Sequence, residues 1–543
     1  MSSSCELGFW EGPRVSTLPN PPSAERLALI RSSPYRGGFE PAIDTEPYAP
    51  NIVYGSIPSD LVGSLAANGP GRIRVGETQY GHWFDGDGYV TLLSFWDGKA
   101  SFCGKYVQTD RFKAQQELMK KHPLDPNPPL AFSGAWTFGG RGRWYENVFR
   151  IPRNPANTAT MWLPGPRLFA LCEGGHPIEL NPRTLEVVGK MERPFESANG
   201  QKVASFFSAH FSRDYNTGDI YNHGYILNPL RPAQLNIMRL NADGTLLHQQ
   251  ACNLPFDTFV HDSVLSQNYV VYFLPPYQTP DSSMWKFLFG LSAIGNLAEW
   301  DPQNHDAYVH VHSRSSLELQ WNVKLPKIVN LYHLVDAYDE MREDGTISLK
   351  VRVAEYVPPD RNKLEEQFRE QYRVEDGTRL YTRLREYSFH LGNNGNVQSA
   401  SDSDVCNDCA PCEFPALNHG WMSNQRLRFC WVNALSSSSV NYLDGVQKLD
   451  MKDGTASQVV SFGQGSFGGA PTFIPKDEAS TEDDGYLIVT VYRSFEHRSD
   501  VVILNAKTMD QLCVMELREH VPYQFHSEFL SGFVANRVID SNS

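Results

Sequence analysis

Four of the chain's 16 histidines share a setting that suits metal chemistry. His210 closes the segment FFSAH, His261 closes FDTFVH, His333 closes VNLYH and His526 closes PYQFH. Each lies at or near the end of a short apolar or aromatic run of the kind that forms a strand. Imidazole is largely neutral near pH 7 and is the commonest protein ligand of transition metals. Four such rings meeting at one point would suit Fe, Zn, Cu or Ni. A lone histidine is more often structural than a ligand, and periodicity alone leaves the convergence of these four open.

The elements that must bring them together read as strands and tight turns. Val270–Leu274 and Tyr486–Tyr492 are β-rich runs bounded by Asn, Asp, Gly or Pro. A hairpin-like pattern recurs at Ile178–Val187, Met238–Leu247, Leu449–Thr455 and Ile503–Leu512: a strand, an Asn or Asp turn carrying Thr or Gly, then a strand. Such hairpins suit the blades of a propeller, with the ordinary hairpins of a sandwich as the alternative. Helical text is sparse. Arg111–Lys121 and Arg361–Gln371 have helical composition and are expected as inserts on the β body. Residues 1–45 are expected to form an irregular arm, and residues 46–543 one β domain.

Composition narrows the function classes. The chain has 543 residues, 41% hydrophobic and 20% charged, as in ordinary globular proteins. A formal net charge of −14 disfavours nucleic acid as a partner, because an acidic surface repels phosphate. No apolar run is long enough to span a bilayer, and the first residues lack the pattern of a secretory signal. Nine cysteines, an odd number in a long chain, suit a reduced compartment. The expected location is therefore cytoplasmic. Residues 283–295 are unusually apolar and allow two readings: a buried insert, or a patch that dips into a membrane to collect a lipophilic substrate.

Further motifs occur in order along the body: HWFDGDG from His82, LFALCEGG from Leu168, Ser208-Ala-His210, His261-Asp262 and NYVV from Asn268. HLVDAYD from His333, Glu413-Phe-Pro415, PTFIP from Pro471 and DDGY from Asp483 follow. In this set and order, over residues ~50–530, the chain resembles the carotenoid cleavage oxygenases, non-haem iron enzymes that split polyene double bonds with O2. The resemblance implies an all-β fold, a seven-bladed β-propeller with helical inserts capping one face. It implies one Fe(II) per chain on four histidines, which match His210, His261, His333 and His526. It also implies carboxylates behind those rings: Glu173 supporting His261, and Glu413 supporting His333. Such partners fix a ring's orientation and raise its basicity. The histidine of HWFDGDG is not carried over as a ligand; that segment reads as a blade turn.

The chain departs from the family pattern in places. Ala470 stands where a third Glu is usual, leaving His526 without its expected carboxylate; Glu528 is a candidate substitute. Asp336 and Asp339 follow His333 where Asn and Glu are commoner. The activity implied is O2-dependent cleavage of a conjugated C=C bond in a carotenoid or apocarotenoid, giving two carbonyl products. The partners are a lipophilic polyene and O2, with no nucleic acid. A stilbene- or phenylpropenoid-cleaving dioxygenase is the alternative, although Cys172 occupies the place of the Lys that typically holds a phenolic hydroxyl in such relatives. A low-activity, polyene-binding propeller is a third reading, suggested by Ala470, and the family also includes a retinoid isomerase. The spacing of Cys406, Cys409 and Cys412 is compatible with a metal or redox site, but no fourth ligand is evident nearby, and reduced loop thiols are the favoured reading.

Overall fold

In the computed structural model the described residues are 23–538, apart from 140–143, 149–151, 192–205, 227–233, 257, 297–298, 370–378, 393–394, 424–425, 438–439 and 441. Antiparallel strands dominate. The recurring hairpins have a common local cause. Asn181, Asn241, Asp450 and Asn505 each end a strand or lie just beyond it, and each side-chain oxygen accepts from the N–H two residues on, at 2.9–3.2 Å. The chain then passes through the left-handed region at Leu185, Gly244, Gly454 and Met509 before the return strand. Asn and Asp favour such turns because they bond their own backbone locally. The four segments form the hairpins expected from the sequence.

The strands gather into successive antiparallel groups. The first pairs Thr45–Tyr48, Lys99–Tyr106, Asp87–Trp96 and Gly63–Arg72. Four-stranded sheets follow over 159–190, 212–253 and 264–324. The strands of 331–404 and those of 412–461 join through a single pairing between Thr382 and Cys412. A last group covers 466–516 and also takes in Asn51–Gly55. The final strand, His526–Ser531, returns to the first group and pairs with Gly63–Arg72, placing His526 opposite Asn68.

Alternating side chains leave apolar layers between neighbouring sheets. Val90 and Leu92 meet Trp162 and Leu168, while Met161 and Phe169 meet Met238 and Leu240. Leu235 and Ile237 meet Val270 and Tyr272. Val309 and Val311 meet Leu349 and Val351, and Leu384 meets Cys430 and Leu449. Trp431 meets Leu487 and Val489. Ile488 and Ile503 then meet Leu65 and Phe95 of the first group. This burial of apolar area drives the stacking of the sheets.

Among the described residues helices are few and short. Asp110–Lys121 is capped by Thr109, whose hydroxyl accepts from Phe112 N at 3.2 Å. Arg361–Arg369 is the second expected helix, and residues 370–371 lie outside the described residues. Ala24–Ser32 is also helical, within a stretch the sequence reading gave as irregular. Ile30, Tyr35 and Phe39 explain its order: all three are buried in an aromatic cluster with Trp83, Tyr442 and Tyr523. Residues 1–22 of that expected arm lie outside the described residues.

Candidate metal centre

His210 and His261 lie just before the strands of 212–253 and 264–324, His333 lies in Leu331–Met341 and His526 opens the final strand, and the four rings meet. Ring centroids lie 4.1 Å apart for His210 and His261, 4.6 Å for His210 and His526, and 5.0 Å for His333 and His526. His333 stands 5.5 Å from both His210 and His261. Ligand atoms of His210, His333 and His526 lie within 4.8 Å of one another, as do those of Glu173, His210 and His261.

Local bonds explain how each ring is held. Ser208 is clamped by Asn222, which accepts from its N–H and donates to its carbonyl, both at 2.9 Å. The Ser208 hydroxyl then accepts from His210 N at 3.1 Å. Asp262 ties two histidine strands together: it accepts from Ser263 N at 2.7 Å and from Leu334 N at 2.8 Å. The acid following His261 therefore anchors the backbone beside His333. His333 lies within Leu331–Met341, and His526 opens the strand that pairs with Gly63–Arg72.

Glu413 accepts from His333 Nδ1 at 2.8 Å, from the Tyr356 hydroxyl at 3.0 Å and from Phe414 N at 2.7 Å. Phe414 has φ +56°, a conformation rarely adopted by residues other than glycine, at an irregularity in its strand. Such local strain recurs at functional sites. Glu173 Oε1 lies 2.6 Å from His261 Nδ1 and 3.7 Å from His210 Nε2, without the alignment of a hydrogen bond to either. Both carboxylates thus stand beside the rings the sequence reading assigned to them.

His526 has no carboxylate partner among the described residues. Glu528 points elsewhere, accepting from Trp162 N at 2.5 Å and pairing with Arg213 at 3.0 Å. Residues two apart share a strand face but stand about 7 Å apart along it, and at that distance Glu528 meets Trp162 and Arg213 instead of the His526 ring. Ala470, Gln524, His526 and Ser527 line a small cavity of about 30 Å³. The two departures after His333 act away from the centre. Asp336 pairs with Arg352 at 3.3 Å, and Asp339 accepts from the Asn268 side chain at 2.6 Å.

Burial and the neighbouring imidazoles hold His210, His261 and His526 well below the usual histidine range. His333 moves the other way: burial opposes its charge, but the Glu413 carboxylate outweighs it. Burial raises the Glu173 carboxyl, and Asp262 adds to the rise. Neutral rings offer lone pairs with no proton to displace. His210 Nε2 is buried without a hydrogen-bond partner. A buried, unpaired nitrogen is costly unless something accepts its lone pair. The donor set therefore fits a divalent transition metal held by nitrogen.

The rings face a cavity of about 1150 Å³. Sequence reasoning did not identify its walls. Phe84, Trp136, Tyr332, Phe368 and Phe525 are among the aromatics that line it, contributed by distant segments. Trp83 and Phe84 belong to the segment read as a blade turn; they form a single 3-10 turn whose Asp85 accepts from Ala135 N and Trp136 N at 2.8 Å. Arg361 pairs with Glu365 and donates to the Tyr332 hydroxyl, setting the Tyr332 ring 4.6 Å from His261. Cys172 also lines the cavity, its thiol pushed up to about 11 chiefly by burial. The Cys409 and Cys412 sulfurs are 3.8 Å apart, whereas Cys406 faces the carbonyls of Asp450 and Thr455.

Comparison with known proteins accords with this arrangement. Residues 39–531 match the family described as retinal pigment epithelial membrane protein. The chain is 27% identical over 484 residues to an apocarotenoid-15,15'-oxygenase of Synechocystis sp., covering 88% of this chain and 92% of that one. It is 24% identical over 523 residues to a carotenoid 9,10(9',10')-cleavage dioxygenase of Crocus sativus, covering 91% and 88%. A chloroplastic 9-cis-epoxycarotenoid dioxygenase of Arabidopsis thaliana is 26% identical over 521 residues, covering 93% and 80%. The fold matches that of a cobalt-substituted apocarotenoid oxygenase from Synechocystis, with a TM-score of 0.78 at 24% identity, covering 92% of this chain and 98% of that one. The chain belongs to the family of the retinal pigment epithelial membrane protein and the carotenoid cleavage oxygenases.

Proposed function

We propose that this chain is a non-haem Fe(II) dioxygenase that cleaves a conjugated C=C bond of a carotenoid or apocarotenoid with O2, giving two carbonyl products. The observation that carries the reading is the meeting of four imidazoles from distant segments, three of them held well below the usual histidine range, on the wall of a large aromatic cavity. Relatives named for carotenoid and apocarotenoid cleavage, matched over most of both chains, support it.

In this reading His210, His261, His333 and His526 hold one iron ion, with Glu173 and Glu413 orienting His261 and His333. Iron(II) held there supplies the activation of O2 for addition across an alkene. The protein's own contribution is position and exclusion of water. The cavity volume is at or above the upper end of ordinary ligand pockets, roughly 300–1,000 Å³. Aromatic walls hold a rigid polyene without demanding hydrogen bonds, so the shape of the cavity selects the bond that stops beside the rings. Buried Cys172 offers no cationic anchor for a phenol, which is why the stilbene reading is not favoured.

Among the described residues seven strand groups follow in chain order, counting the strands of 331–404 and 412–461 separately, each packed on the next and the last on the first, which supports a seven-bladed propeller. Return of the final strand to the first group would close such a ring. The helices Asp281–Leu288 and Arg361–Arg369 belong to its inserts, and both contribute to the cavity wall through Phe287 and Phe368.

Exposure supports peripheral membrane contact through residues 283–295. Trp285, Phe289 and Leu291 are 60%, 52% and 57% exposed. Phe287 and Ile294 of the same insert line the cavity, so a lipid-dissolved substrate would have a short apolar path inward. No helix among the described residues is long and apolar enough to cross a membrane. The eight described cysteines are free, which suits a reducing, cytoplasmic setting.

The test is incubation of iron-loaded protein with carotenoids, apocarotenoids and stilbenes under oxygen-18 gas, with mass analysis of the products. Labelled carbonyl products from a polyene are expected, and His261→Ala or His333→Ala should abolish both iron retention and product. Products from stilbenes alone, or none that depend on O2, would overturn the assignment.

A further inference from the structure

A second cluster of metal-ligating side chains lies apart from the four histidines. The strand Tyr308–Ser313 reads YVHVHS. Side chains alternate along a strand, so His310 and His312 share one face while Val309 and Val311 take the other. The valines pack into the apolar layer with Leu349 and Val351. The histidines lie opposite Tyr272 and Val270 on the neighbouring strand, and those two residues pack against Leu235 and Ile237 of the preceding sheet. Cys252 lies opposite Leu235 on the outer strand of that sheet. A thiol from one sheet and two imidazoles from the next therefore enter one largely apolar layer.

The geometry within this layer suits an ion. One ligand atom from each of Cys252, His310 and His312 lies within 4.8 Å of the other two. His310 and His312 are 1% and 0% exposed, and the Nε2 atom of each is buried without a hydrogen-bond partner. His312 Nδ1 donates to Leu317 O at 3.0 Å, which fixes the tautomer and leaves the Nε2 lone pair free. A backbone carbonyl behind the distal nitrogen is the usual support of a metal-bound histidine. Cys252 Sγ lies 3.9 Å from His310 Nδ1, and its other contact is the carbonyl oxygen of Asn253 at 3.5 Å. Burial holds both imidazoles down to about 4, so at neutral pH each is uncharged and keeps a lone pair on one ring nitrogen.

We propose that Cys252, His310 and His312 form a second metal site, which takes Zn2+ and cross-links two neighbouring sheets. Two neutral nitrogens and one sulfur are the donors that zinc accepts in tetrahedral sites, with a fourth position left for another ligand. Binding releases the thiol proton, because the thiolate is the ligand. The four-histidine centre contains no sulfur, so a sulfur signature distinguishes the two sites.

The experiment uses iron-loaded protein kept reduced. Titration with Zn2+ should add one equivalent per chain without loss of iron and should raise the melting temperature. Co2+ in place of Zn2+ should give a thiolate-to-cobalt charge-transfer band. Cys252→Ser should abolish that band and the thermal shift while leaving iron content unchanged. His312→Gln should weaken zinc binding; if that variant fails to fold, the half-buried Cys252 variant still decides the matter. The proposal is overturned if zinc enters only by displacing iron, if bound Co2+ shows no thiolate band, or if the band persists in Cys252→Ser.

Discussion

One oxygen of Glu413 accepts from Nδ1 of His333 at 2.8 Å while the other accepts from the Tyr356 hydroxyl at 3.0 Å. The carboxylate is buried, yet it is held below the usual range: burial opposes its charge, but His333, the Phe414 N–H and Tyr356 together prevail. It therefore stays an acceptor, and the His333 ring keeps its proton on Nδ1 and its lone pair on Nε2. Replacing Glu413 by Gln should lower iron affinity or turnover by roughly 10–100-fold. Tyr356→Phe removes only the brace behind Glu413 and should have a smaller effect. Iron content and single-turnover rates of the two variants check the order; equal losses would mean that Glu413 acts mainly through Tyr356.

His526 offers the converse test. Among the described residues it has no carboxylate behind it, and Ala470 shares the small cavity beside it. Ala470→Glu should bring a carboxylate to the ring and raise iron affinity by roughly tenfold or more. Metal competition titration measures this. An unchanged affinity would mean that another group already supports His526.

Exposed Trp285, Phe289 and Leu291 should carry any membrane contact. The protein is expected to float with neutral phospholipid vesicles, and a variant with all three changed to Ser should stay in the aqueous fraction. Cleavage of a detergent-solubilised substrate should survive the change, because these side chains point outward. Wild-type protein that fails to float would remove the membrane reading.

Acid should attack the cavity wall through Glu365. Burial opposes its charge, but Arg361 and His82 hold the carboxyl down to about 2, from an ordinary value of 4.5. A depressed folded-state pKa contributes stability that is fully present above about 4.5 and is lost as pH falls toward about 2. The contribution is on the order of 3 kcal/mol. Melting temperatures of wild type and Glu365→Gln across this window should therefore converge as pH falls. Parallel curves would show that Glu365 is not the titrating group.

Much of the site was legible in the sequence because its parts are local. Each histidine follows an apolar run, and the Asn and Asp turns follow a short pattern that predicts their hairpins. Glu173 and Glu413 were found through motifs shared with a family. The helix Ala24–Ser32 was missed because its order comes from remote packing: Ile30, Tyr35 and Phe39 sit among Trp83, Tyr442 and Tyr523. The pairing of Glu528 with Arg213 was missed for the same reason, since only tertiary packing brings Arg213 to that carboxylate.

The sequence by itself determined the local chemistry of this protein: which residues can ligate, which segments alternate as strands, and where the chain must turn. Tertiary structure alone decided which of those residues meet. Asp262 reaches the backbone of Leu334, and Cys252 faces His310, because separate sheets stack through apolar layers. Such contacts depend on register and packing across long loops, and no period or spacing within one strand encodes them.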